Sequence, residues 1–101
     1  MATNDAFHEE MLSIYRRALS EANYPATRFL SMVSEYGGLE TARILLHAPT
    51  VSDGYTALWE RKRIDLTVEA VINDNPEWHA LFTPEELKIC ETRLRDYGYI
   101  Q

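Results

Sequence analysis

Leu81-Phe82-Thr83-Pro84-Glu85-Glu86-Leu87-Lys88-Ile89-Cys90-Glu91-Thr92-Arg93-Leu94-Arg95-Asp96-Tyr97-Gly98 reads as one helix with both ends marked. Thr83 is placed as the N-cap, and Pro84 takes the first position, where its missing N–H would have no partner in any case. Glu86, three residues after Thr83, completes a capping box, and Phe82 is positioned to staple onto Leu87. Leu87, Cys90, Leu94 and Tyr97 recur every three or four residues and draw one apolar stripe. Lys88, Arg93 and Arg95 fall toward the negative end of the helix dipole, and Gly98 supplies the stop.

The same spacing extends outward from this segment. Phe7, Met11, Ile14, Tyr15, Ala18 and Ala22 form a stripe on a helix over about residues 4–22, capped by Thr3 or Asn4. Tyr24-Pro25 breaks the chain, and Pro25 is expected at the first position of a second helix whose inner face is Phe29, Leu30, Val33 and Tyr36. Gly37-Gly38 ends it. A short third helix presents Leu39, Ala42, Leu45 and Leu46 and closes at Pro49. Ser52 or Asp53 caps a fourth, which buries Tyr55, Leu58 and Trp59. A fifth, capped by Asp65, places Ile64, Val68, Val71 and Ile72 on one face, because three-and-four spacing there outweighs the β-branched content. Asn73-Asp74-Asn75-Pro76 is a turn leading into a short helical turn at Pro76–His79. The fold class that follows is all-α, a compact single-domain bundle of about five or six short helices over residues 1–101.

The totals set limits on function. At 101 residues there is room for one core. The single cysteine, Cys90, excludes an intramolecular disulfide and fits a reducing, cytoplasmic setting. The start, Met1-Ala2-Thr3-Asn4-Asp5, has no signal-peptide pattern, and no apolar run is long enough for a membrane span. A formal charge of −6 disfavours a dedicated nucleic-acid binder. The most polarised stretch is 64–87, where Asp65, Glu69, Asp74, Glu77, Glu85 and Glu86 occur without one Lys or Arg.

Reactive constellations do not assemble along the chain. His8, His47 and His79 lie in three segments without ligand spacing, so no metal is expected. Cys90 sits on the apolar stripe of its helix and reads as a core residue, not a nucleophile. Gly37-Gly38 lacks the Lys-Ser/Thr of a phosphate-binding loop and the strand before it. Asp65 and Glu69 share a helix face, but capping and exposure explain them without acid–base chemistry. No cofactor is implied. Arg61-Lys62-Arg63, followed by the Asp65–Ile72 helix, is the alternative: a helix-turn-helix-like nucleic-acid binder, opposed by the acids on its reading helix. An enzyme of unknown class comes third.

Protein–protein interaction therefore leads. The expected partner is another protein with a basic surface, met through Ser52, Asp53 and Tyr55 of one loop and through Asp74, Glu77, Trp78 and Glu85 of the acidic window.

The phrases Tyr24-Pro25-Ala26-Thr27-Arg28-Phe29-Leu30, Gly37-Gly38-Leu39, Ser52-Asp53-Gly54-Tyr55 with Leu58-Trp59-Glu60, Asp65-Leu66-Thr67-Val68-Glu69-Ala70, Leu81-Phe82-Thr83-Pro84-Glu85-Glu86-Leu87 and Tyr97-Gly98-Tyr99 together resemble a group of short, uncharacterised bacterial proteins and C-terminal modules. The resemblance spans about residues 24–99 and lends no catalytic residues, since that group has no assigned activity. It implies a bacterial or phage origin, including a role as a bacterial accessory protein or a phage-encoded inhibitor of a host defence system. Residues 1–23 lie outside it and are expected to be particular to this protein.

Overall fold

The structure, a computed structural model, describes residues 3–101; Met1 and Ala2, with which the leader reading began, lie outside the described residues. The described residues form six α-helices, α1 (Asn4–Ala22), α2 (Thr27–Tyr36), α3 (Gly38–His47), α4 (Asp53–Glu60), α5 (Val68–Asp74) and α6 (Pro84–Asp96). Two 3₁₀ turns, Ile64–Leu66 and Pro76–Leu81, bracket α5, and no strand occurs among the described residues. The radius of gyration is 12.3 Å, close to the ~13 Å of a single 100-residue domain. No helix among the described residues is long and apolar enough to cross a membrane.

Local chemistry sets most boundaries where the sequence places them. Thr3 caps α1 by accepting from the Ala6 N–H at 3.0 Å, and Ser52 caps α4 by accepting from the Tyr55 N–H at 3.1 Å. At α6 the capping box is complete: Thr83 Oγ1 accepts from the Glu86 N–H, and Glu86 Oε1 accepts from the Thr83 N–H. Gly98, at φ +82°, follows the Tyr97 C-cap.

Three expectations about helix ends are corrected. Pro25 lies outside α2, which starts two residues later behind Ala26. Asp65 sits inside a 3₁₀ turn, and Thr67 caps α5 instead, its hydroxyl accepting from the Ala70 N–H at 3.1 Å. The two glycines do different work. Gly37, at φ +87°, ends α2 by donating its N–H to Val33 O, a conformation that costs little without a Cβ. Gly38 already belongs to α3, and a Cβ there would lie 2.6 Å from His8 Cα, so its missing side chain lets α3 touch α1.

The core divides into three groups. The largest joins Phe7, Met11, Ile14, Val33, Leu46, Ile72, Trp78, Phe82 and Cys90, and the Phe7 ring meets Trp78 and Phe82 edge-on at 5.3 and 5.4 Å. A second gathers Tyr55, Ile64, Ala70 and Leu94, and a third Ala18, Leu58 and Leu66. Tyr36 and Trp59, read as inward-facing, are 50% and 44% exposed.

Candidate functional site

The 64–87 stretch is not one acidic surface, because three of its six carboxylates are paired with cations of the same chain and two of those are buried. Glu69, read as exposed, is buried and receives Arg93 Nη1 at 2.9 Å. Burial pushes its carboxyl above the ordinary value, against the opposing pull of its own amide and of Arg93. The same guanidinium donates to Leu45 O (3.1 Å), Ala48 O (2.8 Å) and Thr50 O (3.4 Å), so it ties α6 and α5 to the open carbonyl end of α3. Glu86 is also buried. Burial alone would raise its carboxyl, but the Thr83 N–H, His47 Nε2 at 2.8 Å and Arg43 outweigh it and hold the group below the ordinary value. Asp65 takes two hydrogen bonds from Arg63, which also reaches Glu21 at 2.7 Å.

The nominated contact residues divide accordingly. Tyr55 is 2% exposed, its hydroxyl donating to Arg93 O at 3.1 Å, and burial pushes that phenol's pKa up. Trp78 is buried against Phe7, its indole N–H without an acceptor among the described residues. Both are core residues, because the 3₁₀ turn and the first turn of α4 rotate them inward. Asp53, Asp74, Glu77 and Glu85 are exposed, while Ser52 is half-buried and engaged in capping. Asp74 accepts from the Tyr99 hydroxyl at 2.5 Å.

The basic cluster is likewise engaged. Arg61 donates to Ala22 O and Ala57 O and lies 5.1 Å from the centre of the Tyr24 ring, closing the carbonyl ends of α1 and α4. Arg63 holds Asp65 and Glu21. Of Arg61, Lys62 and Arg63, only Lys62 has a side chain without a hydrogen bond or ion pair among the described residues; it occupies the left-handed turn at φ +61°.

The residues weighed for chemistry remain apart. No group of three His, Cys, Asp or Glu among the described residues could hold a metal ion. His8 Nδ1 accepts the Gly38 N–H at 3.0 Å, and His79 Nε2 donates to Ile72 O at 2.9 Å. Cys90 is 1% exposed, and burial pushes its thiol up to about 12, far from a reactive thiolate.

The packing does bring Asp5 of α1 and Glu40 of α3 to one border that the sequence did not outline. Asp5, Tyr36 and Glu40 border one shallow depression where α1 meets the α2–α3 junction. Arg43, on the same border, donates to Leu81 O at 2.9 Å, and Phe7 packs on Trp78 and Phe82. Glu77 and Glu85, on the segments that carry Trp78 and Phe82, are exposed as well. None of the four carboxylates makes an ion pair among the described residues.

No protein-family model, curated protein or solved structure matches this chain.

Proposed function

We propose that the protein is a non-enzymatic helical interaction module that docks on a basic surface of another protein. The observation that carries this reading is how the charges are distributed. Six of the ten cations, Arg17, Arg43, Arg61, Arg63, Arg93 and Arg95, are held by carboxylates or backbone carbonyls of the same chain. Asp5 and Glu40 reach solvent beside the half-exposed Tyr36, and Glu77 and Glu85 are exposed too, none of the four in an ion pair among the described residues. A field of that sign steers and orients a cationic partner, while an aromatic supplies contact area. The nucleic-acid alternative retains only Lys62 from its cluster. The sequence resemblance supports a bacterial accessory protein or a phage-encoded inhibitor of a host defence system, acting in the cytoplasm.

The test is affinity capture from the native host with the intact chain and with a Glu40→Lys/Glu77→Lys/Glu85→Lys variant. A single basic protein retained by the former at low salt and lost by the latter, with unchanged helicity, supports the reading. Equal capture by both excludes these carboxylates as the docking surface.

A further inference from the structure

We propose that the cleft between α1, α2 and the α4 loop is a binding site for a small amphiphilic carboxylate, a molecule with one apolar chain and one anionic head. The site is a consequence of the divided core. All three apolar groups turn residues toward the same open volume: Ile14 and Leu45 from the first, Tyr55 from the second, Ala18, Leu58 and Leu66 from the third. The cleft measures about 390 Å³, within the range of small-molecule sites. At roughly 30 Å³ per water-sized group, that volume holds a ligand of about 13 non-hydrogen atoms.

The polarity of the rim selects the head group. Arg28 lies on α2 at the cleft, its side chain without an ion pair or hydrogen bond among the described residues, in a chain where most arginines are engaged. Behind it, Ala26 gives α2 no side-chain cap, and the amides of Arg28 and Phe29 have no acceptor among the described residues. An anion resting on Arg28 meets these N–H groups as well. Asp53, at the start of α4, also lines the cleft and disfavours a negative head beside it, which leaves Arg28 of α2 as its partner. The buried carboxylate that also borders the cleft, Glu69, is already answered by Arg93. The apolar chain then runs inward between Ala18, Leu45 and Leu58.

Calorimetric titration of the full chain with decanoate, decanol and decyltrimethylammonium, each below its micellar concentration, tests the assignment. Decanoate is expected to saturate one site and the other two to bind about tenfold or more weakly, the difference being one charge-assisted contact. Arg28→Gln is expected to bring decanoate down to the level of decanol without lowering the melting temperature. Met32→Trp, which places a ring in the cleft, should weaken decanoate and decanol together. Should that variant fail to fold, amide chemical shifts of the native chain answer the same question: decanoate should move Arg28, Phe29, Gly54 and Leu58. Glu77→Lys/Glu85→Lys, at residues that do not line the cleft, should leave decanoate binding unchanged, which separates this site from the proposed docking carboxylates. The assignment is overturned by absence of saturable binding, by equal affinity for the three chains, by an Arg28→Gln variant that still prefers decanoate, or by association only with phosphatidylglycerol vesicles.

Discussion

Replacing Arg93 with Met removes a side chain whose hydrogen bonds tie α6 to both α5 and the end of α3. The Glu69 and Arg93 side chains are only 4% and 12% exposed, so the pair is buried and screening by solvent is slight. Its loss leaves a carboxylate without a counter-ion in the core and strips the Leu45 and Ala48 carbonyls at the end of α3 of their donor. Removing one partner of a buried pair costs about 3–5 kcal/mol, a large part of the ~5–15 kcal/mol that holds a domain of this size together. The melting temperature should fall by roughly 15–30 °C. Urea unfolding followed by circular dichroism measures the loss directly. The double variant Glu69→Met/Arg93→Met, which leaves no buried charge, should recover most of it. The single variant should also change its response to acid. Without Arg93 the folded Glu69 carboxyl rises further above its unfolded value, so the native state binds the proton more tightly. Stability then increases as pH falls from neutrality toward the ordinary carboxylate value. A loss below about 1 kcal/mol, or a double variant no better than the single one, would refute the assignment of Arg93 as the central tie.

Other positions give sharper local outcomes. Gly38→Ala, which on a helix surface would stabilise by about 0.5–1 kcal/mol, should instead lower the melting temperature, because the new Cβ would meet the His8 backbone at 2.6 Å. Glu86, held below the ordinary carboxylate value in the fold, contributes stability that is present above the unfolded value and lost as pH falls through the folded one; Glu86→Gln should flatten that acid limb in urea midpoints taken from neutral to acidic pH. Cys90 should resist Ellman's reagent in the native state and react at the rate of global opening, as stopped-flow mixing with and without urea would show.

The fold was largely legible because its punctuation is local. Thr3, Ser52, Thr83 and Gly98 act within four residues of themselves, and the apolar stripes of α1 and α6 need no partner to be recognised. Asp65 misled because two cap-competent residues, Asp65 and Thr67, stand two apart, and only the intervening 3₁₀ turn decides between them. The acidic window misled for a different reason. Arg93 lies 24 residues from Glu69, and His47 lies 39 from Glu86, so their neutralisation is a property of tertiary packing. One signal was available at Glu69: Val68, Ala70, Val71 and Ile72 leave a short helix apolar all round, and a carboxylate inside such a run must be buried and paired. The Asp5–Glu40 border and the cleft draw on elements far apart in sequence and left no motif.

The proposed docking surface presents the exposed carboxylates of Asp5, Glu40, Glu77 and Glu85. Titrating the ¹⁵N-labelled chain with a lysine-rich peptide at low and high salt tests it most directly. Shifts concentrated at the amides of Asp5, Glu40, Glu77 and Glu85 and abolished by salt are the expected result. Shifts spread over the whole surface, or centred on residues 64–72, would contradict it.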